Sequence, residues 1–152
     1  MAKPKHQGQK LISNRRARFD YDIKKTYTVG LQLSGAETKS LRQGNGQLTG
    51  AYVNISKDEL WLINSTISGS PGINISELDQ SRTRKLLAKK SEILELKKAK
   101  EQGLTIVPLE ILTAKRYIKL NIASAAGKKR YDKRSTIKKR EETRKINRLV
   151  KR

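Results

Sequence analysis

The chain contains no cysteine. That excludes a disulfide scaffold, a cysteine nucleophile and a thiolate metal site. Its one histidine, His6, sits in a polar N-terminal stretch, so a His-based metal cluster or catalytic triad is not expected. Aromatic residues make up 5% and hydrophobic residues 35%, which allows one modest core and not a large one. No apolar run approaches the roughly 20 residues that a membrane helix needs. Lys3, Lys5 and Lys10 are followed by no apolar segment, so no secretory signal is expected. Acidic residues are also scarce. Only 14 Asp plus Glu stand against 35 Lys plus Arg in 152 residues, a net charge of +21.

A charge this high opposes compaction by self-repulsion, so it points to a polyanionic partner. Nucleic acid fits better than an anionic membrane surface, because no strongly apolar amphipathic face accompanies the charge. Residues 1–18 hold six basic and no acidic side chains. Residues 19–126 hold sixteen basic and eleven acidic, and residues 127–152 hold thirteen and three. The middle is ordinary for a folded domain and the excess lies at the two ends. That division describes a globular body carrying nucleic-acid-binding arms.

Period-2 alternation dominates the middle. Tyr27, Val29, Leu31 and Leu33 alternate with Thr28, Gly30 and Gln32, and Phe19, Tyr21 and Ile23 share that period upstream. Lys24-Lys25 breaks the phase, so a bulge or turn is expected there. Ala51, Val53 and Ile55 predict a strand, Ser56-Lys57-Asp58 a turn, and Glu59 to Ile63 the returning strand with Trp61 in a core or wall position. Residues 64–80, rich in Asn, Ser and Gly with Pro71, predict a surface loop. Leu86, Leu87, Ile93, Leu94 and Leu96 fit one apolar face of a helical stretch that ends at Gly103, with Ser91 able to cap a second helix inside it. Thr105 to Leu112 reads as a strand, with Pro108 at an edge or bulge. Ala114-Lys115-Arg116 reads as a turn and Tyr117 to Ala123 as the partner strand. A short helix is expected over Ala36 to Arg42, closed by Gly44-Asn45-Gly46. The fold class is mainly β with flanking helices (α+β). A small antiparallel barrel of the oligonucleotide-binding (OB) type, with two or three helices and a basic C-terminal tail, has this size and layout.

The tail differs in kind. Among residues 127–152 only Ile137, Ile146, Leu149 and Val150 are aliphatic, too little to offset ordering entropy in the free chain. Yet Ser135 to Val150 holds no Gly or Pro and is dominated by helix formers. The tail is therefore expected to be disordered alone and helical once a polyanion removes its self-repulsion.

Five segments resemble one family. They are Asn14-Arg15-Arg16-Ala17-Arg18 with Tyr21 and Ile23, then Gly35-Ala36-Glu37-Thr38-Lys39-Ser40-Leu41-Arg42, then Arg82-Thr83-Arg84-Lys85-Leu86-Leu87. Gly103 to Leu109 and Gly127-Lys128-Lys129-Arg130-Tyr131-Asp132-Lys133-Arg134 complete the set. In order, from about Asn14 to Arg144, they resemble the SsrA-binding protein (SmpB) family, partners of bacterial transfer-messenger RNA. The resemblance implies an OB-like RNA-binding barrel over residues 14–126, a flexible basic arm over 1–13 and a ribosome-probing tail over 127–152. It implies binding to the tRNA-like domain of transfer-messenger RNA and delivery to stalled ribosomes. The tail would probe the decoding centre of 16S rRNA and the empty mRNA channel. The expected protein is a cytoplasmic monomer with no membrane partner, no cofactor and no metal.

Candidate RNA contacts in the body are Asn14, Arg15, Arg16, Arg18, Thr28, Lys39, Ser40, Arg42 and Leu87. Thr28 stands where the family usually has Glu, so it lacks a carboxylate acceptor. The bland readings are a solvated arm for the arginines, a turn residue for Asn14 and a core leucine for Leu87. Glu37 is as well explained by an internal ion pair with Arg42 or Lys39 as by contact. In the tail, Lys128, Lys129, Arg130, Lys133, Arg134, Lys138, Lys139 and Arg140 suit phosphates. Tyr131 suits base stacking, and Asp132 suits a base, an Arg or the start of a helix. Tyr21, Tyr27, Tyr52, Trp61 and Tyr117 read as core or wall. The alternatives are a basic ribosomal structural protein, which would survive a high-salt wash of the ribosome, and a nuclease. Asp20/Asp22, sharing one face of a strand, would be the best metal pair for a nuclease, ahead of Asp58/Glu59 and Glu141/Glu142.

Overall fold

The computed structural model describes residues 12–150. The expected basic arm lies outside them up to residue 11. The elements begin β1 (Ile12–Ser13), α1 (Arg15–Asp20), β2 (Tyr21–Leu31), α2 (Gly35–Arg42), β3 (Gly46–Gln47), β4 (Tyr52–Ser56) and β5 (Glu59–Ile63). They continue β6 (Thr66–Ile67), α3 (Glu77–Gln80), β7 (Arg84–Leu87), α4 (Lys90–Glu101), β8 (Thr105–Leu112), β9 (Lys119–Gly127) and α5 (Arg130–Val150). Seven strands form an antiparallel sheet in the order β1-β8-β9-β2-β7-β5-β4, and β3 with β6 forms a small second one. Among the described residues no ladder joins β1 to β4. At the level of hydrogen bonds this is an open antiparallel sheet with five helices, where a barrel with two or three was expected. No helix among the described residues is long and apolar enough to cross a membrane.

The alternating segments became strands. β2 pairs with β9, and the register slips between Ile23 and Lys25, where the lysines break the apolar phase. Tyr27, Val29 and Leu31 are buried, while Leu33 lies past the strand end. The β4–β5 hairpin turns on Lys57 and Asp58, with φ of 49° and 61°. Positive φ at both turn residues matches the twist of a two-residue hairpin. β8 carries its bulge between Pro108 and Glu110, because proline cannot donate to the ladder.

Three expectations fail for identifiable reasons. Phe19 is not in a strand. Asn14 caps α1 by accepting the Ala17 N–H at 3.1 Å, and this turns the segment into a six-residue helix. Residues 64–80 are not an open loop, because β6 and α3 lie there and Ile67 and Ile73 are buried. The stretch at 82–87 is a strand and not a helix. Leu86 pairs with Leu31 on one side and Leu60 on the other, and that burial overrides the helical spacing. The helix begins after Lys89, whose N–H donates to Glu92 at 3.0 Å, so Ser91 caps nothing.

The main core lies on one face of the sheet, with Leu41 of α2 and Leu96 of α4 fully buried in it. A second cluster on the opposite face joins Ala17 of α1 to Val107, Leu109, Ala123 and Ala125. Burial on both faces explains why Ile106 to Leu109 is apolar without alternation. The alanines of β9 let α1 lie close. This helix brings Arg15, Arg16 and Arg18 onto the outer face of the sheet.

Candidate nucleic-acid interface

Glu37 organises the body. Its N–H donates to Ser34 Oγ at 3.3 Å and its carboxylate accepts the Ser34 N–H at 2.9 Å, a capping box that starts α2. The same carboxylate receives Arg82 at 2.7 and 2.8 Å and Arg84 at 3.0 and 3.1 Å. Neither Lys39 nor Arg42 is its partner. Arg84 is fully buried and also donates to Ser65 Oγ and to the carbonyls of Ser65, Asp79, Gln80 and Arg82. A buried guanidinium is tolerated because its donors are satisfied.

Burial pushes the Glu37 carboxyl up, but the Arg82 hydrogen bond, the Ser34 amide and the Arg84 charge outweigh it, so it lies below its ordinary value. A carboxyl depressed by folding stabilises the fold above its unfolded value, about 4.3, and that contribution is lost as pH falls through the folded value. Stability should therefore drop on acidification below about pH 4. Glu37→Gln should flatten that drop in urea unfolding midpoints, and an unchanged slope would contradict the assignment.

On the outer face a polar row crosses three strands. Thr28 Oγ1 donates to Asn121 Oδ1 at 2.7 Å, and Asn121 Nδ2 donates to Glu110 at 2.8 Å. Glu110 also lies 3.7 Å from Arg18. Thr28 carries no carboxylate, but one stands two strands away and is tied to it through Asn121. Leu87 lies on the same face, beside Gly30. It is 55% exposed, so it is neither the helical residue nor the core leucine that the sequence suggested.

Two candidates are inside. Asn14 is buried, and its amide donates to the carbonyls of Leu48 at 3.0 Å and Pro108 at 3.1 Å. Ser40 is fully buried and donates to the Ser68 carbonyl. Neither offers a polar group at the surface, so contact gives way to positioning. Lys39 is exposed. Arg42 spends its guanidinium on the carbonyls of Thr113, Lys115 and Arg116. It braces the turn before β9.

The tail leaves the body beside α1. The Lys128 N–H donates to the Asp20 carbonyl at 2.9 Å, and Lys133 pairs with the Asp20 carboxylate at 3.0 Å. Asp132 accepts the Lys129 N–H at 3.3 Å, which starts α5. The Arg140 guanidinium lies 5.5 Å from the Phe19 ring centroid. The 21 residues of α5 extend about 30 Å. Tyr131 is exposed, as are Arg130, Arg134, Lys138 and Lys139. Lys128 and Lys133 are half-buried against the body.

The carboxylate pair of the nuclease alternative is dispersed. Asp20 ends a helix and faces Arg16 and Lys133, while Asp22 pairs with Lys24. Among the described residues no group of three His, Cys, Asp or Glu is placed to hold a metal. Of the aromatics read as core or wall, Tyr52 lies in β4 at 42% exposure, while Tyr117 lies outside the strands and is 68% exposed. Trp61 is half-buried, on the face away from Leu60 and Leu62. The residues missed were Arg84, Glu110 and Tyr117.

The chain is similar to known proteins in sequence and in fold. The family model for SmpB protein matches residues 11–152. The SsrA-binding protein of Trichodesmium erythraeum is 44% identical, with 99% of each chain covered. That of Maricaulis maris is 44% identical over 99% of this chain and 98% of the relative. That of Streptococcus thermophilus is 42% identical over 97% of each. A solved chain described under "tmRNA-SmpB: a journey to the center of the bacterial ribosome" is 39% identical, with a TM-score of 0.65. It covers 84% of this chain, and 94% of its own length is matched. Matches of this extent, along a chain whose five motifs already pointed the same way, establish that it belongs to the SmpB family.

Proposed function

We propose that the chain is the RNA-binding adaptor of trans-translation. It binds the tRNA-like domain of transfer-messenger RNA and delivers it to ribosomes stalled without a stop codon. Translation then resumes on the RNA's own reading frame, which frees the ribosome and marks the product for proteolysis. The chain works by shape and charge in the cytoplasm, as a monomer and without catalysis. The observation that carries this reading is a folded body joined to a basic helix of about 30 Å, in a member of the SmpB family.

In this reading Arg15, Arg16, Arg18 and Lys39 bind phosphate, while Thr28 and Leu87 meet the RNA on the outer face. Asn14, Ser40 and Arg42 hold the backbone that presents these groups. Glu110 takes the acceptor role that a carboxylate at position 28 would have. The sheet is an OB-like barrel left open at one seam, where β4 comes within 8 Å of β8 between Cα atoms. The tail orders fully as a helix on the ribosome. There Lys128, Lys129, Arg130, Lys133, Arg134, Lys138, Lys139 and Arg140 neutralise rRNA phosphates and Tyr131 stacks on a base. The test is the affinity for the tRNA-like domain beside that for a plain duplex of equal length. Selective binding supports the reading and indifference rejects it.

A further inference from the structure

Beside Leu87, where β2 runs out toward α2, the outer face borders a hollow of about 400 Å³ whose far side is formed by Leu31, Leu33 and Thr38. Gly30 forms part of its floor, and a Cβ there would lie 3.1 Å from Leu87 Cβ. The glycine therefore keeps the floor low and lets Leu87 lean over it. Tyr117 lines another wall and is the most exposed aromatic of the described residues. Its neighbour Ile118 is buried at 6% exposure, which anchors the backbone beside the ring. Arg42 donates to the carbonyls of Thr113, Lys115 and Arg116 at 2.9–3.4 Å, which braces the turn. An exposed ring on a braced turn loses little entropy on binding.

The surrounding charge selects the occupant. Arg116 and Lys119 line the hollow, and no carboxylate does. The Arg116 guanidinium lies 5.5 Å from the Tyr117 ring centroid. Thr28 of the polar row is two residues from Gly30 along β2, about 7 Å at strand spacing. The hollow thus continues the face proposed for RNA. A flat π-surface, an aliphatic lip and two cations suit a base with its phosphate.

We propose that this hollow receives one unpaired base of the bound RNA, stacked on Tyr117 and covered by Leu87, with Arg116 and Lys119 on the adjoining phosphates. The inference rests on the RNA-binding function proposed above and specifies how that face reads RNA. Stacking is worth about tenfold or more in affinity.

The test uses the full chain and the tRNA-like domain of transfer-messenger RNA at fixed salt. Tyr117→Phe and Tyr117→Trp should bind within about twofold of the parent, while Tyr117→Leu and Tyr117→Ala should weaken binding about tenfold. Single abasic substitutions at the unpaired RNA positions form a second arm. One of them should weaken the parent about tenfold and leave Tyr117→Ala nearly unaffected. If Tyr117→Leu binds like the parent, the hollow is only an apolar contact and base stacking is overturned. If Tyr117→Ala binds like the parent, or no abasic position couples to it, the base site is overturned while selective RNA binding stands. If the parent itself does not prefer this RNA to a duplex, the proposed function fails and this inference with it.

Discussion

Replacing Arg84 by Ala should lower the free energy of unfolding by about 3–5 kcal/mol, the cost of breaking a buried ion pair from one side. The side chain is fully buried and its donors serve Glu37, Ser65 Oγ and four backbone carbonyls. Without it, Glu37 keeps Arg82 and the Ser34 amide, and the carbonyls of Ser65, Asp79, Gln80 and Arg82 lose a buried donor. Arg84→Met should recover little, because its apolar stem cannot donate to those oxygens. The surface pair of Lys25 with Glu95 gives the contrast. Its side chains are 59% and 48% exposed, and solvent screening leaves such a pair little to contribute. Equilibrium urea unfolding of Arg84→Ala, Arg84→Met and Lys25→Ala separates the cases. A loss below about 1 kcal/mol for Arg84→Ala would show that the cluster does not hold α2 to β7.

Deleting residues 128–152 should leave binding to the tRNA-like domain within a few-fold of the parent and abolish tagging on stalled ribosomes. Gly127 still pairs with Tyr21, so β9 keeps its register. Among the described residues the tail meets the body mainly through the Asp20 and Phe19 contacts, which involve neither the polar row nor the hollow. The removed segment holds thirteen basic residues, among them those that the proposed function places on rRNA. The matched measurements are RNA affinity and tag addition in a reconstituted translation reaction. Complete loss of RNA binding on truncation would contradict the division between a binding body and a probing tail. Retained tagging would contradict the role of the tail.

Local pattern was enough for the elements whose burial alternates. The bulge at Lys24-Lys25, the turn before Glu59, the strand Thr105–Leu112 and the helix ending at Arg42 were all legible. Two kinds of feature were not. The apolar spacing of residues 82–87 fits a helix as well as a strand. Strand pairing with Leu31 and Leu60, more than twenty residues away, decides for the strand. The α1 helix does have a local signal, Asn14 three residues before the amide it caps. The Glu37 cluster spans 45 to 47 residues, and the Arg42 brace 71 to 74. No local periodicity encodes such distances. Tyr117 lies outside its expected strand for the same reason, since the braced turn makes β9 start at Lys119, two residues later than alternation suggests.

The most direct measurement of the central claim is a salt-titrated affinity for the tRNA-like domain of transfer-messenger RNA, beside a plain RNA duplex of the same length. With a charge of +21, both should bind tightly at low salt and weaken as counterions compete. Recognition by the outer face predicts a preference of at least about tenfold, or 1.4 kcal/mol, that persists as salt rises. Equal affinities that collapse together would mean that charge alone binds, and would contradict a dedicated adaptor.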